Sequence, residues 1–240
     1  VVNNDWNVPG NWNTGAVPTV FNNVFIPSTV DLAAQLPTPG VDPVILIGGL
    51  NGYSRNFYLS TGSNLTIQTG KVLNVHGNWQ AQTTAAIQGE GSVIFGALSG
   101  AKFINGSTSF PRLVNNNADV LTISSGMQTI TRVLGLQQGI LAGNNRITLA
   151  SDASNTGLID NFSTGFNGLL TGNITANRHI AGARGYRYLS NPINVTAGLT
   201  VLNFGPSVSG ANGVIYNPSN PPGPVAFPTC WVYNENDANA

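Results

Sequence analysis

Short runs that alternate apolar and polar residues recur at near-constant spacing along the chain. One series is Leu65-Thr66-Ile67, Val93-Ile94-Phe95, Leu121-Thr122-Ile123, Ile147-Thr148-Leu149 and Ile174. Two further series, which include Leu73-Asn74-Val75 and Phe57-Tyr58-Leu59, repeat at a similar interval. Alternation predicts short strands, and a repeat of this length is typical of a solenoid. The pattern predicts an all-β, right-handed parallel β-helix with three strands per coil and about 28 residues per coil.

Turn residues separate the predicted strands, and they indicate where the coil changes direction. Gly and Asn tolerate the left-handed backbone that a tight corner requires. The predicted corner between the third and first strands consists of residues 61–64, 89–92, 115–118, 143–146 and 172–173. Aligned Asn side chains at such corners predict a ladder of amide hydrogen bonds from coil to coil.

The pattern divides the chain into three parts. Residues 1–43 are predicted to form an N-terminal cap and a first irregular coil, residues 44–177 the parallel β-helix, and residues 178–240 a C-terminal β segment that begins a further module.

Trp6 and Trp12 lie in a Gly/Pro/Asn-rich opening. They are predicted to cover the open end of the solenoid, with sugar stacking as the alternative. Candidate interface or capping residues in the C-terminal part are Arg178, Arg184, Arg187 and Trp231. The arginines, together with His179, also form a candidate anion or acidic-glycan site.

Composition narrows the function classes. Only 8% of the residues are charged, against about 25% in an average domain, and the formal net charge is zero. This balance gives no electrostatic basis for binding nucleic acid or an anionic membrane. No apolar run approaches the roughly 20 residues of a membrane span. Cys230 is the single cysteine, which excludes an intrachain disulfide. We expect no cofactor and no metal, and an extracellular or cell-surface location.

Several stretches resemble one group of surface proteins. They are Trp6…Pro9-Gly10-Asn11-Trp12…Gly15-Ala16-Val17-Pro18…Asn23-Val24-Phe25-Ile26-Pro27, Arg178-His179-Ile180…Gly185-Tyr186-Arg187-Tyr188-Leu189-Ser190-Asn191-Pro192 and Cys230-Trp231-Val232-Tyr233-Asn234-Glu235. In these stretches the chain resembles large secreted, adhesin-like parallel β-helix proteins of the Bacteroidetes. The resemblance implies a structural or adhesive role and export of the type IX kind, through a C-terminal sorting domain. No such domain is visible here, so we expect the chain to be a portion of a longer protein or a processed form.

Polysaccharide chemistry is the alternative that the residues leave open. A β-helix that cleaves polysaccharides needs clustered carboxylates, or Ca²⁺ ligands with a basic residue. Glu90 and Asp119 are predicted to lie at equivalent corners one coil apart, about 5 Å from each other. Trp79, Tyr53 and Tyr58 are candidates for a glycan-binding groove, whereas His76 is predicted to be a hydrogen-bonded turn residue. Unpaired solvated carboxylates and structural aromatics are the simpler interpretation.

The sequence therefore predicts a non-enzymatic extracellular structural or adhesive surface protein without catalytic, cofactor or metal residues. Its stiff solenoid would present a binding surface or self-assemble into a filament or layer, because uncharged sheets and open coil ends favour association. The alternative is a polysaccharide-binding or polysaccharide-cleaving β-helix protein. Surface glycans are the candidate partners beside the chain itself.

Overall fold

The computed structural model describes residues 4–28, 44–82, 85–96, 99–160 and 167–179. These residues form parallel strands and one short 3-10 helix, Pro9–Asn11. The strands are β1 (Val24–Ile26), β2 (Val44–Ile47), β3 (Gly52–Ser54), β4 (Phe57–Leu59), β5 (Asn64–Ile67), β6 (Val72–Val75), β7 (Trp79–Ala81), β8 (Ala85–Gly89), β9 (Ser92–Phe95), β10 (Lys102–Asn105), β11 (Thr108–Ile123), β12 (Gln128–Ala142), β13 (Ile147–Leu149), β14 (Leu158–Asp160), β15 (Leu169–Thr171) and β16 (Ile174–Ala176). The prediction of an all-β parallel solenoid is confirmed.

Strand pairing forms three rows along the solenoid. The first row contains β2, β5, β8, the starts of β11 and β12, β13 and β16. The second row contains β3, β6, β9, the middle parts of β11 and β12, and β14. The third row contains β1, β4, β7, β10, the ends of β11 and β12, and β15. The strands β11 and β12 are long because they continue around the corners, where their mutual register shifts. The right-handed sense stays a prediction.

The turn of the solenoid is shorter than the sequence pattern predicted. Consecutive partners in the second row are Leu73, Val93, Leu113 and Leu134. In the third row, a hydrogen bond between neighbouring turns joins Asn78 to Asn56, which lies 22 residues earlier. The turns at the two ends are longer: Val24 and Phe57 are register partners 33 residues apart, and the Asn173 amide donates to Asn145 Oδ1, 28 residues earlier. The predicted coil length is therefore wrong for the middle of the solenoid.

The 28-residue spacing corresponds to one turn plus one further strand. Leu65-Thr66-Ile67 lies in the first row, Val93-Ile94-Phe95 in the second and Leu121-Thr122-Ile123 in the third. Each predicted series therefore crosses the rows instead of following one of them. The physical reason is that all three rows bury similar apolar triplets, so the hydrophobic pattern repeats with every strand and does not mark the full turn.

Alternation within each strand separates the core from the surface. In β5, for example, Leu65 and Ile67 are fully buried and Thr66 between them is half-buried. One turn cannot enclose its own inward side chains, but stacked turns bury a continuous core. Each fully buried aliphatic side chain stabilises the fold by about 1.5–3 kcal/mol relative to exposure.

An aromatic column occupies one part of this core, and we define it as Trp12, Trp6, Phe57, Trp79 and Phe110. The Trp6 ring meets Trp12 edge-on with 4.7 Å between ring centroids and is stacked with Phe57 at 6.3 Å. Phe57 stacks on Trp79 at 4.6 Å, and Trp79 contacts Phe110 at 5.3 Å. Ring separations in this range favour aromatic pairs beyond their buried area.

The N-terminal segment extends the solenoid by pairing with its first row. The Trp6 amide donates to Leu46 O at 2.8 Å, and the Leu46 amide donates to Asn4 O at 2.8 Å. Trp6 is fully buried, and the Trp12 indole Nε1 donates to Trp6 O at 2.8 Å. Both predicted capping tryptophans therefore belong to one packed aromatic contact above Phe57.

Asn residues connect neighbouring turns at a corner that the sequence did not single out, whereas the predicted ladder appears at one step, where the Asn173 amide donates to Asn145 Oδ1. Asn56 Nδ2 donates to Asn23 Oδ1 at 2.9 Å, the Asn78 amide donates to Asn56 Oδ1 at 2.7 Å, and the Phe103 amide donates to Asn78 Oδ1 at 2.9 Å. These asparagines precede strands of the third row. At the third-to-first corner, Asn145 has a left-handed backbone with φ of 60°. The predicted corner set mixes all three corners, because residues 89–92 connect the first row to the second and residues 115–118 connect the second to the third.

Candidate functional site

A polar groove lies at the corner between the second and third rows, and we call it the corner groove. Its volume is about 430 Å³. It is lined by Phe21, Arg55, Asn56, His76, Gly77, Asn78, Ser99, Gly100, Ala101 and Lys102. Phe21 is 76% exposed. Arg55, His76 and an exposed aromatic ring converge here, in a chain that has few charges, and Lys102 borders the groove with its side chain directed inward.

The groove favours the neutral form of the His76 imidazole. Burial lowers the pKa of the His76 imidazole, and the positive charge of Lys102 lowers it further. The ring packs against Gly96, where a Cβ would lie 3.2 Å from His76 Cε1. His76 Nδ1 is buried without a hydrogen-bond partner among the described residues. The sequence predicts a turn histidine whose side chain is hydrogen-bonded. In the structure, the His76 ring is instead packed at the edge of the corner groove.

The lowered pKa of His76 predicts a loss of stability in mild acid. An unfolded chain binds the His76 proton below about pH 6.5, whereas the folded chain resists protonation to a lower pH. Stability contributed by the neutral ring is therefore present above pH 6.5 and is lost as the pH falls through the folded-state pKa. Urea denaturation between pH 8 and pH 5 measures this slope, and a His76→Gln variant is expected to flatten it. The matched control is Gln80→Ala, which alters an outward residue that does not titrate and is expected to keep the slope; an unchanged slope in His76→Gln would contradict the assignment.

Lys102 is the most unusual residue near the groove, because its side chain points into the core. It is only 2% exposed, and Nζ donates to Asn117 Oδ1 at 2.6 Å and to Gly100 O at 3.3 Å. Burial lowers the pKa of Lys102, and the charge of Asp119 opposes that shift. Asn117 is fully buried, and its Nδ2 donates to Gly100 O at 3.4 Å.

Exposed aromatics lie on the outer face of the third row, close to the corner groove. Phe25 and Tyr58 are register partners with 4.8 Å between ring centroids, and Phe103 lies on the same face two turns further along. Phe25 is 44% and Phe103 is 41% exposed. Tyr53 lies in the second row instead, opposite Asn74. The structure therefore does not bring Tyr53 and Tyr58 together on one outer face, and the predicted groove containing both is wrong.

Trp79 cannot act as a sugar platform. The ring is fully buried in the aromatic column, and its Nε1 donates to Thr108 Oγ1 at 3.0 Å. The structural reason is its register with Phe57, which directs the side chain inward. The prediction that Trp79 lines a glycan groove is therefore wrong.

Glu90 and Asp119 do not form a carboxylate pair of the kind that polysaccharide cleavage would need. Glu90 lies at the first-to-second corner, where it forms an ion pair with Arg132. Asp119 lies at the second-to-third corner, where its Oδ2 accepts from the Gly100 amide at 2.5 Å. The assumed 28-residue turn placed them at equivalent corners, and the shorter turn separates them. The Glu90–Arg132 pair is partly solvent-exposed, so it stabilises the fold by less than about 1 kcal/mol.

The C-terminal candidates are described only in part. Arg178 Nη1 donates to Gly157 O at 3.1 Å and to Asn177 O at 3.0 Å. It therefore bonds backbone carbonyls of the last described turn. Arg184, Arg187 and Trp231 lie outside the described residues, as does the predicted C-terminal β segment apart from Arg178 and His179. The chain divides into two compact units, Val1–Gly182 and Ala183–Ala240, and all described residues belong to the first unit.

Two sequence signals for the corner groove were available and missed. Lys102-Phe103-Ile104 has the form of the apolar triplets with a lysine at an inward position. Asn56 and Asn78 each precede an inward aromatic residue, Phe57 and Trp79, which marks equivalent positions one turn apart.

Metal-binding and membrane-spanning features do not occur in the described ranges. No three His, Cys, Asp or Glu residues come together there in a way that would hold a metal ion. Nor does that part of the chain contain a helix with the length and apolarity that a bilayer crossing requires. Comparisons with family models, with curated proteins and with solved structures found no match to this chain.

Proposed function

We propose that this chain is the solenoid part of a non-enzymatic extracellular structural or adhesive surface protein. The observation that carries the proposal is the continuous apolar core, around which successive parallel turns stack. Stacked turns hold their outer side chains at fixed spacing and give a rigid presenting surface. The low charge content supports an extracellular setting.

The hydrogen bonds of the acidic residues support a non-enzymatic role. Asp152 Oδ1 accepts from the Ser154 and Asn155 amides at 2.7 Å each, and these bonds lower the pKa of its carboxyl group. Glu90 is paired with Arg132, and Asp119 accepts a backbone amide. Each of these carboxylates stabilises a corner or loop, whereas acid–base catalysis on a glycoside requires two facing carboxyl groups.

Self-association is the part of this proposal that electron microscopy tests. The outer face of the first row carries Thr66, Thr129 and Thr148, which offer hydrogen-bonding surface without charge repulsion and favour side-by-side contact. We expect dilute purified protein to form ordered filaments or layers in negative stain. Isolated particles at every concentration would contradict self-assembly. Release of reducing ends from polysaccharides by the same sample would contradict the non-enzymatic assignment.

Polysaccharide binding is the second candidate, and the outer face of the third row favours it. Phe25 and Phe103 are exposed on this face, Tyr58 is half-buried beside Phe25, and the adjoining corner groove contributes Arg55. Aromatic rings pack against the apolar faces of sugars, and a guanidinium binds carboxylates with charge-assisted hydrogen bonds. Together they fit an acidic polysaccharide rather than a neutral one.

Binding to polygalacturonate, compared with its methyl-esterified form, tests this second candidate. We expect Tyr58→Ala to weaken binding of both probes about tenfold, a loss of about 1.4 kcal/mol. Arg55→Ala is expected to weaken only the binding of the charged probe. The matched control is Tyr53→Ala, which removes an exposed ring from the second row and leaves binding unchanged. Equal losses of affinity in Tyr53→Ala and Tyr58→Ala would contradict the assignment of the binding face to the third row. The absence of binding to both probes would contradict it as well.

A further inference from the structure

The inner side of the second-to-third corner contains a lysine and an asparagine that are both buried and in direct contact. Lys102 is 2% exposed and Asn117 is fully buried. They lie on neighbouring turns, since Lys102 pairs with Leu121 at the start of β10 and Asn117 occupies the bend of β11 just before the third-row part. A buried lysine amine rarely occupies an inward strand position, because desolvating its charge is costly. The contact therefore points to a role beyond packing.

The geometry of the contact suits a reaction between the two side chains. Nζ lies 2.6 Å from Asn117 Oδ1. Because an amide C=O bond is about 1.23 Å long, the carboxamide carbon Cγ lies at most about 3.8 Å from Nζ. Reacting atoms held close to about 3–3.5 Å gain the advantage of an intramolecular reaction. Gly100 O accepts from Lys102 Nζ at 3.3 Å and from Asn117 Nδ2 at 3.4 Å, so one carbonyl orients both groups.

We propose that Lys102 and Asn117 form an intramolecular isopeptide bond, in which Lys102 Nζ replaces the amide nitrogen of Asn117 and ammonia leaves. The new covalent bond joins β10 to the corner of the next turn. It goes beyond the proposed structural or adhesive role and does not depend on it.

The reaction needs no external oxidant, reductant or proton carrier. The Lys102 ammonium first loses one proton to the Asp119 carboxylate, and the freed lone pair on Nζ attacks Asn117 Cγ. A second proton passes from Nζ to Nδ2, the Cγ–Nδ2 bond breaks, and the carbonyl re-forms as ammonia departs. Ammonia then takes the proton held by Asp119 and leaves as ammonium, which restores the carboxylate.

The surroundings support each of these steps. Burial lowers the pKa of Lys102, which favours the neutral, nucleophilic amine. Asp119 is fixed by the Gly100 amide at 2.5 Å, and its charge favours the ammonium form of Lys102 until the carboxylate takes the proton. Asp119 is itself exposed, so it can exchange the proton and the ammonium with solvent.

Intact mass measurement of the purified 240-residue chain tests the bond directly. Formation of the bond removes ammonia, so we expect a mass about 17 Da below that of the sequence. Trypsin is expected to leave the chain uncut after Lys102 and to yield a peptide of residues 72–112 joined to one of residues 113–132. This branched peptide distinguishes the cross-link from loss of ammonia within a single asparagine.

Variants assign the bond to the named residues. Lys102→Met and Asn117→Ala are expected to restore the full sequence mass, and Asp119→Asn to slow formation of the bond at least tenfold. The matched control is Lys71→Met, which removes the other lysine of the chain and leaves the loss of about 17 Da in place. Cleavage after Lys102 in the wild-type protein, with a full sequence mass, would overturn the proposal even if every variant failed to fold.

Discussion

Trp79→Ala is expected to destabilise the protein by about 3–5 kcal/mol, the largest effect of any single core substitution in the solenoid. The ring is fully buried between Phe57, at 4.6 Å, and Phe110, at 5.3 Å. Its removal leaves a cavity in a close-packed interior that can collapse only partly. It also takes away the indole N–H that donates to Thr108 Oγ1.

Urea denaturation measures this effect, and the neighbouring residue provides the control. Gln80 follows Trp79 in the same strand but faces outward, so Gln80→Ala is expected to change the unfolding free energy by less than about 0.5 kcal/mol. Trp79→Phe keeps a ring in the column and loses the hydrogen bond, and we expect it to fall between the two. A cost below about 1 kcal/mol for Trp79→Ala would contradict the buried position of the ring.

Gly106→Ala is expected to destabilise the protein by more than about 3 kcal/mol, because this position combines a left-handed backbone with close stacking of turns. Gly106 has φ of 81°, and a Cβ added there would overlap with the carbonyl oxygen of Ala81 in the preceding turn. No flexible side chain can give way, because the obstacle is backbone. Relief therefore requires the two turns to separate locally, with loss of their hydrogen bonds.

The Gly70→Ala variant separates the cost of the left-handed backbone from the cost of the close contact between turns. Gly70 has a similar φ of 76°, but a Cβ added there would meet nothing within 4 Å. Gly70→Ala is therefore expected to cost only the left-handed strain, about 1–2 kcal/mol. Thermal or urea unfolding of both variants measures the difference, which reports the stacking of turns. Equal costs for Gly70→Ala and Gly106→Ala would mean that the turns do not approach each other at Gly106.

The sequence was sufficient to predict the fold class but not the length of the turn. Alternation such as Leu65-Thr66-Ile67 directly reflects which side chains are buried, and burial depends on the strand alone. The turn length, in contrast, depends on which strands pair between neighbouring turns. Because all three rows contain similar apolar triplets, the hydrophobic pattern fits several turn lengths. The Asn56-Phe57 and Asn78-Trp79 pairs hold the information that resolves this ambiguity, because Phe57 and Trp79 are register partners on neighbouring turns.

The candidate site was harder to predict, since it depends on register. A turn length that is too long by one strand places Asp119 at the corner of Glu90. The inward position of Trp79 is set by its register with Phe57 in the adjacent strand, which the sequence alone does not display. Lys102 was overlooked because a charged residue in a strand is ordinarily solvent-facing.

Disulfide formation between neighbouring turns tests the central structural assignment most directly. Asn74 and Ile94 are outward-facing register partners in the second row, and paired strands lie about 4.8 Å apart, within reach of a disulfide. In a Cys230→Ser background, we expect Asn74→Cys with Ile94→Cys to cross-link rapidly under mild oxidation. Thr66→Cys with Ile94→Cys, which a 28-residue turn would place together, is expected to stay reduced. Cross-linking of the second pair but not the first would contradict the three rows and the shorter turn described here.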